Sequence, residues 1–230
     1  KPGQTVVLTI DQSIQYAAEQ SLLAAVQRSH AKSGSVIVLD PRSGEILALA
    51  NAPTFDPNNV SEAKPETRAN WALQNIYEPG STFKIVVASG ALNEGKTKLS
   101  DRFFCENGAF AYAGRILHDH DPYGSLTVEQ IITKSSNIGA AKIAIERLGA
   151  NSLYNYISDF GFGKRTGVLL PGEVGGIVYP AQKWAKVSLA QIPMGHGVCV
   201  TRLQMAMAMS AIANHGMLMR PMLVDRLEDS

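Results

Sequence analysis

A serine and a lysine three positions apart can act together as a nucleophile and its general base. On a helix, residues three apart share a face, so a neutral lysine amine can reach the serine hydroxyl and accept its proton. The spacing occurs three times in this sequence, at Ser29 and Lys32, at Ser61 and Lys64, and at Ser81 and Lys84. Spacing alone therefore selects none of the three pairs, and the surroundings of each pair must discriminate between them.

Two of the pairs have polar surroundings. Ser29 and Lys32 lie in "QRSHAKSG", at the end of a predicted helix. Ser61 and Lys64 lie in a polar loop, and Pro65 follows directly. Lysines in such segments are as a rule solvated. We interpret both pairs as surface residues.

The third pair lies in "YEPGSTFKIVVASGAL", where Pro79 and Gly80 form a turn and Ser81 is predicted to begin a helix. The neighbours of Lys84 are apolar on essentially every side: Phe83, Ile85, Val86, Val87, Ala88, Ala91 and Leu92. A helix that is apolar all round is central to its domain. Burial lowers a lysine pKa, and the free N–H groups at the helix start favour negative charge developing at Ser81. The segment predicts Ser81 as nucleophile and Lys84 as base.

A structural interpretation of the same segment stays open at this point. Lys84 can extend its amine to the surface or pair with a carboxylate, while Ser81 merely caps the helix. A second motif favours catalysis. Ser-x-Asn occurs once in the sequence, as Ser135-Ser136-Asn137, at a predicted break between two helices. A polar inter-helix turn would explain the tripeptide alone, but the two motifs together are more specific than either.

The elements that position these residues form an α+β pattern. "TVVLTID" predicts a strand, and Asp11 is expected to cap a helix over residues 12–28. "GSVIVLDPRSGEILALAN" predicts a hairpin, followed by a loop rich in proline and asparagine. "FFCENGAFAYAGRILHD" predicts short strands that turn at Gly108 and Gly114. Residues 127–130 fit a capping box. Further helices are predicted over residues 138–148, 151–160, 182–190 and 202–214.

Composition excludes several classes of protein. The chain has 230 residues, 45% hydrophobic and 18% charged, with a net charge of +1. These values indicate a globular protein without a nucleic-acid-binding or anionic-membrane surface. Cys105 and Cys199 are too few for a disulfide scaffold, and two buried thiols are favoured over a disulfide between them. No apolar stretch reaches the length of a membrane span. Because the chain begins at Lys1, we expect a piece of a longer protein with any signal or anchor upstream.

Metal and other catalytic motifs receive little support. "HDHDP" offers potential metal ligands at 118–121, but adjacent residues of an extended chain point to opposite sides. We expect no metal site there. His196 in "GHG" is interpreted as a turn residue without assigned chemistry. The sequence lacks a G-x-S-x-G elbow, a Walker loop and an H-E-x-x-H motif.

"EPGSTFK" followed by "TKSSN" resembles the penicillin-binding protein transpeptidases. "VVLTIDQSIQ", "GSVIVLDPRSGEILALANAPTFDPN", "GFGKRTGVLLPGE" and "VTRLQMAMAMSAIANHG" resemble segments of the class B, monofunctional branch, in family order. The resemblance implies one transpeptidase domain over residues 1–230, with 1–30 as its leading strand and helix. It also implies an antiparallel sheet packed against helices, as in penicillin-binding proteins and β-lactamases.

The third motif of the family, Lys-[Ser/Thr]-Gly, is expected on a strand beyond Ser230, so the C-terminal strands would be missing here. Lys32-Ser33-Gly34 precedes Ser81 and leads into the first hairpin strand. "KRTG" at 164–167 has an extra residue inside it. We interpret both as decoys. Because the missing strand would complete the site, we expect the isolated chain to be inactive.

The resemblance implies acyl transfer to and from peptidoglycan stem peptides that end in D-Ala-D-Ala. Ser81 would attack the penultimate carbonyl and Lys84 would take its proton. Ser135 would relay the proton to the leaving nitrogen, and Asn137 would orient Lys84 and hold the substrate amide. The Ser81 N–H would form half of an oxyanion hole. Ser81, Ser135 and Asn137 would thus also bind substrate, and no metal or organic cofactor is implied.

The same resemblance implies partners and a location. β-Lactams would acylate Ser81, and elongation or division proteins would assemble with the enzyme on the extracytoplasmic face of the bacterial membrane, anchored upstream. Two other functions stay open: a D,D-carboxypeptidase or serine β-lactamase, which passes the acyl group to water, and a non-catalytic β-lactam sensor or cell-wall scaffold.

Overall fold

The computed structural model describes residues 3–229. Its α-helices are α1 Gln12–Ser29, α2 Pro65–Arg68, α3 Trp71–Gln74, α4 Lys84–Asn93, α5 Val128–Thr133, α6 Asn137–Ile143, α7 Ala150–Asp159, α8 Ser188–Gln191 and α9 Arg202–Ala213. Its strands are β1 Thr5–Leu8, β2 Gly34–Leu39, β3 Ile46–Ala52, β4 Ile76–Tyr77, β5 Arg102–Phe104, β6 Ala109–Tyr112, β7 Arg115–His118, β8 Ser125–Thr127, β9 Val200–Thr201 and β10 Val224–Glu228. Antiparallel pairs join β1 to β10, β2 to β3, β5 to β8 and β6 to β7. The predicted α+β class is confirmed.

The chain divides into two compact units. The first comprises the residues up to Ile76, the segment Lys164–Gly175 and the residues from Thr201 onward; the second comprises Tyr77–Gly163 and Gly176–Val200. The prediction of one transpeptidase domain over 1–230 stays a prediction, and its ends, Lys1 and Ser230, lie outside the described residues.

The first unit packs α1 against the hairpin of β2 and β3. Asp11 caps α1 as predicted, with its side chain accepting the N–H of Ile14. Alternate residues of β3 are buried, as expected of a strand with one face on a core: Ile46, Ala48, Ala50 and Ala52. Small alanines on this face let the helix approach closely, and Leu22 of α1 packs against them. The leading strand, helix and hairpin therefore form where the pattern predicts them.

The "KRTG" segment of the first unit has a structural explanation. The buried Glu173 carboxylate accepts the N–H and the hydroxyl of Thr166 and the N–H of Gly167. The buried Gln204 of α9 donates to the carbonyls of Lys164 and Gly175. These bonds hold the connector as a closed loop, which agrees with its interpretation as a decoy.

The second unit is built around α4 and α6, which are buried along almost their whole lengths. Gly90 of α4 lies against the Tyr156 ring of α7, where an added Cβ would stand 2.7 Å from a ring carbon. Phe83 is fully buried against Phe162, with ring centroids 4.9 Å apart. These contacts fix the helix whose first residue is Lys84.

One helix prediction is wrong, and the structure refines one further helix and one loop. The predicted helix over 182–190 is two short pieces, a 3₁₀ turn Ala181–Lys183 and α8. Between them Trp184 is extended, because its indole N–H donates to Tyr179 and its ring packs edge-on against Tyr154. The helix that follows Asn137 ends in a π turn, Ala144–Leu148, closed by Gly149. The loop after β3 contains a 3₁₀ turn, Pro57–Glu62, and the short α2.

Cys105 and Cys199 are both free thiols, as predicted, but only Cys105 is buried, whereas Cys199 is partly exposed. No helix within residues 3–229 has the length and apolar character needed to cross a membrane.

Candidate active site

Ser81 and Lys84 are joined by a single 3₁₀ turn, Gly80–Phe83, which leads into α4. The prediction that Ser81 begins an α-helix is thus corrected, since the α-helix begins at Lys84 itself. In a 3₁₀ turn, residues three apart eclipse one another. The turn closes through the Lys84 N–H, which donates to the Ser81 carbonyl, and through the Thr82 hydroxyl, which donates to the Pro79 carbonyl at 2.7 Å. The eclipsed geometry brings the two side chains together.

Lys84 Nζ lies 3.1 Å from the Ser81 hydroxyl and 2.9 Å from the Ser135 hydroxyl. It also donates to the Ser135 backbone carbonyl. Lys84 is only 2% exposed, whereas Ser81 and Ser135 are exposed. The amine is therefore buried beneath two accessible hydroxyls, and neither surface extension nor a carboxylate ion pair describes it.

Burial lowers the pKa of the Lys84 ammonium from 10.5 to about 8, while the charge of Asp119 opposes that decrease. At pH 7 about one molecule in ten then carries the neutral amine. A lysine of ordinary pKa would be neutral far less often. The site thus supplies a base beside a serine hydroxyl at neutral pH.

The Ser135-Ser136-Asn137 turn separates α5 from α6, as predicted. The capping box at Thr127 and Gln130, which starts α5, is also present. Ser135 has a φ of 56°, in the left-handed region, and Ser136 caps α6 by accepting the N–H of Gly139. A serine held in this conformation is strained, and such strain persists only where surrounding contacts impose it. The turn presents the Ser135 hydroxyl to Lys84.

Asn137 is the first residue of α6, and its side-chain amide donates to the His118 carbonyl at 2.9 Å. Within the described residues the hydrogen bonds of Lys84 Nζ go to Ser81 and Ser135. The predicted role of Asn137 in orienting Lys84 therefore has no direct contact in this structure. A role in holding the substrate stays a prediction.

Asp119 is a residue that the sequence interpretation passed over. Its carboxylate accepts the backbone N–H groups of Asn137 and Ile138 and the hydroxyl of Ser136. From the sequence alone, Asp119 is considered only as a potential metal ligand in "HDHDP", where no metal site is expected. In residues 3–229 no three His, Cys, Asp or Glu side chains are grouped to hold a metal ion. The position of Asp119 directly after strand β7 was the available signal.

His196, to which the sequence analysis assigns no chemistry, packs against the turn that precedes Ser81. Glu78 bonds to the His196 ring and to the Gly197 N–H. The Gly80 N–H points to the Gly195 carbonyl at 3.4 Å. Two turns that are distant in sequence thus pack together immediately beside Ser81.

The other two Ser-x-x-Lys pairs are not hydrogen-bonded pairs. The Ser29 hydroxyl donates to the Ala25 carbonyl of its own helix, and the Ser61 hydroxyl donates to Asn59. Lys32 and Lys64 are both exposed. Their interpretation as surface residues agrees with these contacts.

Residues 34–230 match the family profile of the penicillin binding protein transpeptidase domain. The chain belongs to the penicillin-binding protein transpeptidase family. It falls in the class B branch. It is 38% identical over 219 residues to the probable peptidoglycan D,D-transpeptidase PenA of Neisseria meningitidis, covering 95% of this chain and 37% of PenA. It is 32% identical over 226 residues to the peptidoglycan D,D-transpeptidase FtsI of Escherichia coli, covering 98% of this chain and 38% of FtsI.

Solved structures agree with this assignment. Penicillin-binding protein 3 of Mycobacterium tuberculosis, complexed with aztreonam, matches with a TM-score of 0.92 and 36% identity, over 98% of this chain and 50% of that one. The apo transpeptidase domain of Burkholderia pseudomallei penicillin-binding protein 3 matches with a TM-score of 0.87 and 34% identity, over 98% and 63%. The penicillin-binding protein described here therefore spans well under half the length of the two curated relatives.

Proposed function

We propose that this protein is a serine-type peptidoglycan D,D-transpeptidase that works through an acyl-enzyme on Ser81. The observation that carries the proposal is the position of Lys84 Nζ, buried and within hydrogen-bond distance of both the Ser81 and Ser135 hydroxyls. The names of the relatives support the reaction class, since PenA and FtsI are peptidoglycan D,D-transpeptidases.

Acylation begins when neutral Lys84 takes the proton of the Ser81 hydroxyl. The Ser81 oxygen attacks the penultimate carbonyl of a stem peptide ending in D-Ala-D-Ala, and the Ser81 N–H stabilises the oxyanion. The proton passes from Lys84 through the Ser135 hydroxyl to the nitrogen of the terminal D-Ala. The C–N bond breaks, D-Ala leaves, and an ester to Ser81 remains.

Transfer of the acyl group from Ser81 follows the same steps in reverse, with the amine of a second stem peptide in place of D-Ala. The amine of a neighbouring stem peptide attacks the ester carbonyl and gives up its proton through Ser135 to Lys84. The ester bond between the Ser81 oxygen and the acyl carbon breaks, the serine hydroxyl regains its proton, and a peptide cross-link is formed. Asn137 holds the substrate amide in the cleft during both steps.

β-Lactams react at the same serine. The ring amide takes the place of the peptide bond, and attack by Ser81 on its carbonyl breaks the ring C–N bond. The amine stays tethered to the acyl group through the remaining ring atoms, so it does not leave. The M. tuberculosis relative complexed with aztreonam supports this expectation.

The polymer substrate defines location and partners. Peptidoglycan lies outside the cytoplasmic membrane, so the enzyme acts on the extracytoplasmic face. Proteins of the elongation or division machinery are the expected partners there.

The experiment is labelling of the full-length protein with a fluorescent penicillin, followed by mass spectrometry of the labelled peptide. Wild type is expected to carry one adduct, on Ser81, and Ser81→Ala is expected to carry none. Ser61→Ala, which alters one of the two surface Ser-x-x-Lys pairs, is expected to carry as much adduct as wild type. Label retained by Ser81→Ala would refute the proposal. A wild-type adduct that hydrolysed within seconds would instead indicate a β-lactamase or carboxypeptidase.

A further inference from the structure

The side chain of Asp119 lies behind the turn that carries Ser135 and Asn137. One carboxylate oxygen accepts the N–H groups of Asn137 and Ile138, the latter at 3.0 Å. The other accepts the Ser136 hydroxyl at 2.7 Å. Three donors, from the Ser-x-Asn turn and the start of α6, therefore converge on one carboxylate that lies 17 to 19 positions earlier in the chain.

We propose that Asp119 is a positioning residue of the acyl-transfer site, which holds the Ser135–Asn137 turn from behind and sets the charge that Lys84 faces. The proposal rests on the proposed function, because it assigns Asp119 a part in the chemistry of Ser81.

The positioning half follows from the backbone of the turn. Ser135 has a φ of 56°, a conformation that costs free energy for a serine. The first N–H groups of α6 have no partner inside the helix, so they need an external acceptor. A carboxylate is the strongest acceptor that the chain can offer there, since hydrogen bonds to a charged group are about twice as strong as neutral ones. Its bonds hold the turn in the geometry that presents the Ser135 hydroxyl to Lys84.

The electrostatic half starts from the position of the carboxylate: Lys84 Nζ donates to Ser135, and Asp119 accepts the hydroxyl of Ser136, the next residue. Burial lowers the pKa of Lys84, and Asp119 is the charged group that opposes this. The carboxylate therefore keeps the amine basic enough to accept a proton, while burial keeps it neutral often enough to start the reaction. Removing the charge alone should lower the pKa further.

Among the other titratable groups near Asp119, Cys105 shares the Ser136 hydroxyl with it, whereas Tyr123 and Lys142 have partners of their own. Burial raises the pKa of the Cys105 thiol, which lies 3.5 Å from the Ser136 hydroxyl. Tyr123 donates to Asp121, whose bond raises the tyrosine pKa. Lys142 is paired with Glu106. None of these groups bonds to Lys84 in the described part of the chain.

Two variants of the full-length protein separate charge from position. Asp119→Asn keeps the shape and removes the charge; Asp119→Glu keeps the charge and changes its reach. Asp121→Asn, two residues away on the same segment, is the matched control. The rate of Ser81 acylation by a penicillin is measured from pH 5 to pH 10 for each.

We expect the acylation midpoint of Asp119→Asn to lie at lower pH than that of wild type, with a plateau rate about tenfold lower. Asp119→Glu should keep the wild-type midpoint and show a reduced plateau, and Asp121→Asn should match wild type. A folded Asp119→Asn with an unchanged midpoint, or Asp119→Glu with a wild-type plateau, would overturn the proposal. If Asp119→Asn does not fold, the Asp119→Glu plateau decides.

A measurement without activity tests the positioning half independently. Hydrogen exchange of the Asn137 and Ile138 amides should be about tenfold faster in Asp119→Asn, because a neutral acceptor binds them less strongly. Unchanged exchange would contradict the proposal. Absence of any adduct on wild-type Ser81 would refute the proposed function instead. The hydrogen-exchange result would then still test whether Asp119 holds the Ser135–Asn137 turn.

Discussion

The carboxylate of Glu78, which lies three residues before the proposed nucleophile Ser81, accepts the backbone N–H of Gly197 at 2.8 Å. This bond joins the turn that delivers Ser81 to a second turn over 195–197. An added Cβ at Gly195 would stand 2.2 Å from the Gly80 carbonyl oxygen. The close fit makes the position of Ser81 depend on residues more than a hundred positions away.

Gly195→Ala is expected to lower both stability and Ser81 acylation. Gly195 has a φ of 80°, which costs an alanine about 1 to 2 kcal/mol, and its Cβ would also collide with the Gly80 backbone. Gly197→Ala is the matched control, because Gly197 also has a φ of 80° but its Cβ would meet nothing nearer than 3.9 Å. Urea unfolding and penicillin acylation rates measure both variants. Equal losses in the two would contradict the close contact.

Glu78→Gln is expected to destabilise the protein only above the acid range. The Gly197 N–H, and then His196, lower the pKa of Glu78 from its ordinary 4.5. A carboxylate with a lowered folded pKa contributes stability above its unfolded pKa and loses it as pH falls through the folded one. The melting-temperature difference between wild type and variant should therefore begin to shrink as pH falls below about 4.5 and vanish below the lowered folded-state pKa. A difference that stayed constant from pH 7 to pH 3 would exclude this linkage.

The acylation rate is expected to follow the ionisation of Lys84. Since only the neutral amine accepts the Ser81 proton, the rate should rise about tenfold per pH unit below pH 8 and level off above it. Stopped-flow measurements with a chromogenic β-lactam between pH 6 and pH 9 give the profile. A flat profile over this range would mean that another group takes the proton.

Lys84→Met is expected to abolish acylation and to stabilise the fold by about 1 to 2 kcal/mol at pH 7. The folded state loses the lysine proton near pH 8, whereas the unfolded state keeps it to about 10.5. Between these values the unfolded state binds more protons, so wild-type stability rises with pH and the advantage of methionine shrinks. Urea unfolding at pH 7 and pH 10 tests this. Lys32→Met, in the surface Ser29 and Lys32 pair, is the control, and its effect on stability should be the same at both pH values.

Gln204→Leu is expected to destabilise the first unit by about 2 to 4 kcal/mol. Gln204 is 1% exposed, and leucine would leave the carbonyls of Lys164 and Gly175 without their donors, at 2.7 and 2.8 Å. Met209→Leu, half exposed on the same helix, is the control and should change stability little. A loss below about 0.5 kcal/mol for Gln204→Leu would show that the carbonyls find other partners.

Much of the local structure could be predicted because short-range rules determine it. Asp11 caps α1, Thr127 and Gln130 form their capping box, and Gly108 and Gly114 turn the strands where the pattern indicates. The predicted helix over 182–190 failed for the opposite reason. There the bonds and ring packing of Trp184, which depend on residues of other segments, override local helix preference.

The sequence by itself selected Ser81 and Lys84 as the candidate pair, because apolar neighbours and the single Ser-x-Asn distinguish them from two pairs with equal spacing. It also determined the family. Only the tertiary structure decided how the base is held and tuned. The 3₁₀ turn is local, but the Ser135 carbonyl, the Asp119 carboxylate and the Glu78 bond to Gly197 join residues from 17 to 119 positions apart. Periodicity and spacing report neighbours along a helix or strand, whereas a pKa and a hydrogen bond depend on distance in space.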